Sequence, residues 1–337
     1  MVHLKAGRAA RPAGFTVRAA ATLLCIIMTA AALAGCGKRN DSESDGKLMI
    51  VATVFPAYDW AREIIGEGND NVELTFLLNY GVDLHSYQPT AADIAKIGFS
   101  DVFIYVGGES EKWVDNALKI SKNDSRTVVN LLDVLGENAK EEEIVEGMEG
   151  EEEEDEGEPE YDEHVWLSLK NAILFCKRIC SVLCAADPEN AETYKANTDA
   201  YIEKLEKLDG EYVTAVDSAP VKTLVFGDRF PFRYLVDDYG ISYYAAFVGC
   251  SAETEASFKT IVFLSGKVDE LGLGAVLKIE SSDGAIARTV RDNTKTKDQK
   301  ILTLDSLQSK TGDDVRKGVT YLSVMESNLE VIKEALK

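Results

Sequence analysis

Histidine is the residue type in this chain best suited to chemistry, because it is scarce and well placed. The sequence contains three histidines, and only His85 and His164 lie beyond the first few residues. His85 falls in a loop after an apolar, β-rich run, and His164 stands at the entrance to an apolar helical pattern. Imidazole is the commonest protein ligand of first-row transition metals, and α/β folds place ligand sites at such element ends. The two histidines are therefore candidate metal ligands, with ordinary structural roles still open.

The cysteines point to packing rather than to chemistry. Cys176, Cys180 and Cys184 follow one another at intervals of four, which places them on one face of an apolar helix. Free cysteine packs like a small hydrophobic residue, so we expect these three in the core. A soft-metal site is the alternative, but no fourth ligand lies nearby. Cys250 stands apart from them, and the pattern does not indicate a disulfide framework.

The N-terminus carries the features of an export signal. Residues 1–18 hold four basic and no acidic side chains, and an apolar run follows from Ala19 to Ala34. This arrangement is typical of a secretory signal peptide, and the run is shorter than the roughly 20 residues that an uncleaved spanning anchor needs. The sequence from Leu33 to Cys36 resembles a lipobox. We predict a lipoprotein signal peptide at 1–35, lipidation of Cys36, a flexible polar tether at 36–47, and a position on the extracytoplasmic face of the cell membrane.

Charge excludes some partners and favours others. After removal of residues 1–35, 32 basic residues remain against 58 acidic ones, a net charge of −26. Such a surface repels nucleic acid and anionic lipid headgroups and attracts cations. Acidic residues are densest at 139–163, where 15 of the 23 residues from 141 to 163 are Asp or Glu. We expect a disordered loop there, acting either as a solvated spacer or as a low-affinity cation collector.

Short β-rich runs alternate with helical patterns on both sides of one long helical pattern. Such alternation predicts a parallel sheet flanked by helices. We therefore predict an α/β fold of two lobes, at 48–186 and 219–337, joined by one long rigid helix at 187–218. The predicted strands are 48–54, 72–78, 102–106, 127–131, 222–226, 242–247, 275–279 and 300–304. The predicted flanking helices include 57–67, 91–97, 111–120, 253–271, 284–292 and 313–336.

The long helix carries a nearly continuous apolar stripe. Asp187 and Pro188 provide a helix start. Its length of ~45 Å at 1.5 Å per residue suits a strut between lobes, although an ordinary surface helix fits the same pattern. The stripe repeats at alternating intervals of four and three: Tyr194, Thr198, Tyr201, Leu205, Leu208, Tyr212 and Ala215.

Several motifs, in order, resemble one known family. His85, framed by Gly81 and Pro89, and the sequence Glu163-His-Val-Trp-Leu167 look like the first two ligand motifs of the solute-binding lipoproteins of zinc and manganese ABC importers (the ZnuA/PsaA-like, cluster A-I family). The likeness continues through the sequences beginning at Gly227, Asp238, Glu253, Ile279 and Thr303, and covers the chain from residue 48 onward. The acidic segment lies where zinc-binding members carry a His-rich loop.

The resemblance implies a metal site shared between the lobes. His85 and His164 match the family's first two ligands directly. The family's third ligand position falls on Arg229, which cannot ligate, and an offset of one residue gives Asp228, which we choose. The family's fourth ligand matches Asp305. The alternatives are an ordinary loop role for Asp228 and a helix-capping role for Asp305. Glu280, at another strand end, is expected to support these ligands or to contact the other lobe.

Two imidazoles and two carboxylates accept Zn²⁺, Mn²⁺ or Fe²⁺, and affinity order favours Zn²⁺ over Mn²⁺. The resemblance therefore implies a monomeric binding protein that captures a divalent metal, Zn²⁺ slightly favoured, and delivers it to an ABC permease in the membrane. A lipid-anchored metallohydrolase and a surface adhesin are the alternatives. Catalytic metal sites keep an open coordination position, which four protein ligands would leave little room for. Turnover assays test the enzyme hypothesis. Binding to host matrix that persists in the His85→Ala protein would favour the adhesin hypothesis.

Overall fold

The computed structural model describes residues 46–120, 123, 125–150, 160–251 and 255–337. The predicted signal peptide at 1–35, the lipidation site Cys36 and the tether up to residue 45 lie outside the described residues. In the part that is described, no helix combines the length and the apolar character needed to cross a membrane.

Each half of the chain forms a four-stranded parallel sheet, and the two sheets share one topology. Their strand orders are β2-β1-β3-β4 and β6-β5-β7-β8. The eight described strands match the eight predicted from sequence, and β5 runs four residues further than expected. In each sheet the first strand in the chain lies between the second and the third. The strand order therefore reverses at the first strand, and open α/β sheets bind ligands at the carboxyl ends of the strands at such a point. The strands are β1 (Leu48–Ala52), β2 (Val72–Phe76), β3 (Val102–Tyr105), β4 (Thr127–Asn130), β5 (Thr223–Phe230), β6 (Ser242–Val248), β7 (Ala275–Ile279) and β8 (Lys300–Leu304).

Helices flank both sheets, as predicted. Those of the N-terminal half are α1 (Phe55–Ile65), α2 (Ala91–Phe99), α3 (Trp113–Ile120), α4 (Leu131–Leu135) and α5 (Leu169–Ala186). The long helix is α6 (Ala191–Asp217). Those of the C-terminal half are α7 (Arg233–Tyr239), α8 (Phe258–Leu271), α9 (Ala285–Asp292), α10 (Gly312–Arg316) and α11 (Tyr321–Ala335). Short 3₁₀ turns occur at Leu84–Ser86, Gly136–Asn138, Val165–Leu167 and Pro188–Asn190.

The prediction of a single helix over 313–336 is wrong. Gly318 has a φ of 85°, a left-handed conformation that ends a helix, and it separates α10 from α11. Thr320 then starts α11 with a capping box, in which its side chain accepts from the backbone N–H of Ser323. The C-terminal segment therefore contains two separate helices.

The long helix buries the predicted stripe in a core that both lobes share. Tyr194, Tyr201, Leu205 and Tyr212 are each at most 3% exposed. One continuous cluster of buried side chains joins this helix to residues of both sheets and to α1, α5 and α11. At 1.5 Å per residue, the 27 residues of α6 extend ~40 Å. The two lobes are thus joined by packing as well as by the helix itself.

Helix α11 ties the C-terminal half to the N-terminal half. The backbone N–H of Tyr321 donates to Asp59 Oδ2 at 2.7 Å, although the two residues are 262 positions apart. The Tyr321 hydroxyl donates to the carbonyl of Trp166 at 2.7 Å, and the Trp166 indole donates to the carbonyl of Ser306 at 2.9 Å. These buried hydrogen bonds fix the turn that follows His164.

Both ends of the acidic segment are folded, which differs from the disorder expected for 139–163. Glu142 N–H donates to the carbonyl of Glu160 at 2.9 Å, and Glu149 forms a parallel bridge to Phe247 of β6. The Glu149 carboxylate also accepts from the backbone of Ser257 at 2.8 Å. Charge density alone suggested disorder, whereas backbone pairing within the segment and with the C-terminal lobe orders these ends. Residues 151–159 lie outside the described residues.

The three cysteines of α5 behave as predicted. Cys176 and Cys180 are buried in the shared core, and Cys184 is partly exposed at the same face. Their intervals of four therefore reflect helix packing, as a stripe of small apolar residues would.

Candidate metal centre

His85 is held by a short turn at the carboxyl end of β2. Asp83 begins the 3₁₀ turn and accepts a hydrogen bond from the backbone N–H of His85 at 3.1 Å, while Leu84 is buried beneath it. The ring nitrogen Nδ1 lies 2.7 Å from Ser110 Oγ. It is also 3.5 Å from the Glu163 carboxylate. These contacts fix the ring, and its Nε2 faces His164.

His164 is fully buried immediately before the turn Val165–Leu167. Asp162 Oδ1 accepts from the backbone N–H of His164 at 2.8 Å and lies 3.0 Å from its ring Nδ1. The ring also makes an edge contact with Trp166, with ring centroids 5.4 Å apart. A carboxylate on one ring nitrogen is the usual support for a metal-binding histidine, because it fixes the ring and raises its basicity.

The two histidines face one another through the same ring atom. Their Nε2 atoms are 3.2 Å apart. In a tetrahedral zinc site with Zn–N bonds of about 2.0–2.1 Å, two nitrogen ligands lie about 3.3 Å apart. The observed separation therefore matches the spacing that one shared metal ion requires.

The two imidazole rings have different electrostatic surroundings. Burial lowers the pKa of His164, but the neighbouring Asp162 outweighs it, so the pKa of His164 is raised. Burial and the charge of His164 lower the pKa of His85 to about 3. The surroundings therefore favour protonation of His164 over protonation of His85. A metal that binds both rings must displace any proton on their Nε2 atoms.

Cys250, which the sequence reasoning did not select, joins the pair. Among the described residues, His85, His164 and Cys250 form a set whose metal-binding atoms all lie within 4.8 Å of one another. Cys250 is the second residue after β6, and its thiol is hydrogen-bonded to Glu142. Burial and the nearby Glu142 and Asp162 carboxylates raise the pKa of this thiol. Its position after a strand end, away from the helical cysteines, is the signal that could have identified it.

Asp228 lies in β5 and is engaged elsewhere. It is 6% exposed, and its two carboxylate oxygens accept from the backbone N–H groups of Arg229 at 2.9 Å and Ile279 at 3.3 Å. Burial raises the pKa of Asp228, and a hydrogen bond from Ser282 opposes this. The adjacent Arg229 instead faces the N-terminal lobe, where its guanidinium forms an ion pair with Asp83. The structure thus brings Arg229, rather than Asp228, toward the histidine pair.

Asp305 and Glu280 organise the loop after β8. Asp305 accepts from the backbone of Leu307 at 2.9 Å and forms an ion pair with Lys310. Burial and the charge of Glu280 raise the pKa of Asp305, and Lys310 opposes them. Glu280 accepts from the backbone and hydroxyl of Ser306, at 2.7 and 2.9 Å. Neither carboxylate belongs to the three-residue set around the histidines in the described part of the chain.

Two similar parallel α/β lobes joined by a long helix, with facing imidazoles beside their junction, define a two-lobed metal-binding protein. The chain belongs to the ZnuA family, described as the zinc-uptake complex component A, periplasmic, whose model matches residues 50–335.

Relatives and solved structures agree with this assignment. The zinc-binding lipoprotein AdcA of Streptococcus pneumoniae is 34% identical over 321 residues, 93% of this chain, and the chain spans only 60% of that relative's length. The high-affinity zinc uptake system protein ZnuA of Bacillus subtilis is 30% identical over 93% of this chain and 95% of its own length. The crystal structure of the Zn(II)-bound ZnuA-like domain of AdcA from Streptococcus pneumoniae superposes with a TM-score of 0.67, at 30% identity, over 86% of this chain and 99% of that one.

Proposed function

We propose that this chain captures a divalent transition metal outside the cytoplasm and delivers it to an ABC permease, acting as a monomer with Zn²⁺ preferred over Mn²⁺. The observation that carries the proposal is the 3.2 Å separation of His85 Nε2 and His164 Nε2. The relatives named for zinc binding and zinc uptake support the choice of metal. Affinity order at a site of given geometry favours the same choice.

The surroundings of the pair suit a cation. The carboxylates of Asp83, Asp162 and Glu163 lie within 4 Å of the two imidazole rings and offset the charge of an M²⁺ ion. His164 is fully buried, so water competes weakly for its side of the site. Asp162 and Ser110 hold the two rings in one orientation, which lowers the cost of ordering the ligands on binding.

Asp228 and Asp305 remain predicted ligands whose binding requires rearrangement. Asp228 would have to leave the backbone of Ile279, and Asp305 would have to leave Lys310. In the present arrangement they serve the C-terminal lobe, with Glu280 supporting the loop that follows Asp305. Comparing Asp228→Ala with Asp305→Ala for zinc affinity tests this part of the ligand set. A loss of about 100-fold or more in either variant would make that residue a ligand.

The proposed anchor explains how delivery works. A lipid on Cys36 and a tether to residue 47 would hold the metal-binding lobes near the membrane and raise their effective concentration at a permease. Zinc uptake by cells that carry Cys36→Ala tests this step. We expect slower uptake at low zinc with unchanged zinc affinity of the purified protein. Unchanged uptake would remove the anchor from the mechanism.

The metal site itself is tested by calorimetry on His85→Ala and His164→Ala. Each variant removes one of the two facing nitrogens, so each is expected to lose tight zinc binding. Asn197→Ala provides a control, because Asn197 donates to the carbonyl of Ile64 at the C-terminal end of α1. Wild-type zinc affinity in either histidine variant would refute the site.

A further inference from the structure

We propose that Cys250 is the metal ligand supplied by the C-terminal lobe, so that the site combines two imidazoles and one thiolate and discriminates for Zn²⁺ against Mn²⁺. This inference rests on the proposed function, because it assigns a ligand and a selectivity to the same site.

The thiol is within reach of a shared ion. For Zn–S and Zn–N bonds of about 2.3 and 2.0–2.1 Å, a tetrahedral ion places sulfur about 3.6 Å from each nitrogen. The metal-binding atoms of His85, His164 and Cys250 all lie within 4.8 Å of one another. A movement on the order of 1 Å therefore completes the geometry.

The local sequence is built for this approach. A Cβ atom at Gly249 would lie 2.9 Å from His164 Cε1 and 3.0 Å from the carbonyl oxygen of Phe230. Only glycine lets the backbone pass this close to the ring. The backbone N–H of Ser251 then donates to the carbonyl of Val248 at 3.3 Å, which places Cys250 inside a tight turn.

Arg229 connects this loop to the first histidine. Its guanidinium pairs with Asp83, which caps the turn of His85, and a second nitrogen donates to the carbonyl of Ser251 at 3.4 Å. Arginine stays protonated and cannot ligate. At this position it instead holds the Cys250 loop against the N-terminal lobe.

Ligand chemistry then sets the selectivity. Thiolate is a soft ligand that suits Zn²⁺, whereas carboxylate suits Mn²⁺. On binding, the sulfur–metal bond forms and the thiol proton leaves for solvent. A site with Cys250 should therefore favour zinc more strongly than a site completed by Asp228 or Asp305.

The test is cobalt and zinc binding to the full chain, kept reduced, with Cys250→Ser and Cys250→Ala. Co²⁺ bound by thiolate gives a sulfur-to-metal charge-transfer absorption in the near ultraviolet. We expect this absorption in the wild type and its loss in both variants. Cys184→Ser is the matched control, since Cys184 is a partly exposed cysteine on α5 and outside the three-residue set. It should keep the absorption.

Competition between Zn²⁺ and Mn²⁺ gives the second readout. Outer-shell partners of metal ligands contribute 10–100-fold to affinity, so losing a ligand should lower zinc affinity by at least about 100-fold. Manganese affinity should change by less than about tenfold, because sulfur contributes little to it. Circular dichroism and thermal unfolding confirm that the variants fold.

The outcomes separate the two proposals. Loss of zinc binding in His85→Ala with full binding and full charge-transfer absorption in Cys250→Ser would overturn the role of Cys250 and leave the proposed function standing. A wild-type protein that binds neither zinc nor cobalt would overturn both. An unchanged ratio of zinc to manganese affinity in Cys250→Ala would refute the selectivity.

Discussion

Replacing Gly249 with alanine should weaken metal binding through a single added methyl group. The new Cβ would lie 2.9 Å from His164 Cε1 and 3.2 Å from His164 Nδ1. Carbon atoms pack at about 3.5–4.0 Å, so a relief of at least about 0.6 Å is needed. The ring cannot supply it, because it is fully buried and held by Asp162 and Trp166. The loop that carries Cys250 must move instead.

The cost of this movement sets the size of the effect. Overpacking of one methyl group costs about 1–3 kcal/mol, and each 1.4 kcal/mol corresponds to a tenfold change in affinity. Moving the loop away from the ring relieves the strain but withdraws Cys250 from the histidines, so the cost falls mainly on metal binding. We expect zinc affinity to fall by about 10–100-fold with little change in the free energy of unfolding.

The assay is zinc titration against a competing chelator, with Gly266→Ala as the control. Gly266 lies on the exposed face of α8, and a Cβ there meets no atom within 4 Å. Its replacement should stabilise the fold by about 0.5–1 kcal/mol and leave zinc affinity unchanged. Wild-type affinity in a folded Gly249→Ala protein would refute the steric reasoning, and so would an equal loss in both glycine variants.

Three further variants test the surroundings of the site. Asp162→Asn removes the carboxylate that raises the pKa of His164. Zinc affinity, measured from about pH 5 to pH 8, should therefore be lower than in the wild type at high pH, because the ring is less basic. As the pH falls, the affinity of the variant should begin to decrease at a lower pH than that of the wild type, because protons compete less for the ring. Tyr321→Phe removes the buried hydrogen bond to Trp166 and should lower the free energy of unfolding by about 1–3 kcal/mol in urea. Asp83→Asn loses its ion pair with the C-terminal lobe and should speed zinc release to a chelator about tenfold.

The elements were predictable because their causes are local. The strands were recognisable as short β-rich runs, and the long helix was recognisable as an apolar stripe repeating every three or four residues. Both patterns predict the structure because burial of the apolar side chains requires these periodicities. The break between α10 and α11 was missed, since it depends on the φ of Gly318 rather than on periodicity. The ordered backbone at Glu149 was missed because its pairing partner in β6, Phe247, lies about 100 residues away.

The site was predictable only in part. His85 and His164 were identified by scarcity and motif, and the structure places their Nε2 atoms together. The choice between Asp228 and Arg229 had been framed as a one-residue offset in a loop. Both residues in fact lie within β5, beside an irregularity in its register, and their side chains have different partners. Asp228 accepts from the backbone of Ile279, whereas Arg229 pairs with Asp83. The choice therefore depends on side-chain direction, which the spacing of motifs does not give.

The hydrogen bonds of Tyr321 have a consequence for the order of folding. They join residues 155 and 262 positions apart, and contacts so distant in sequence form slowly. The hydrogen bond that Tyr321 gives to the turn after His164 therefore exists only once α11 is in place. A chain shortened before α11 would still contain both histidines, but it would lack this support for the turn that follows His164. The C-terminal helix thus contributes to the order of the N-terminal lobe's site through this turn rather than through either histidine ring.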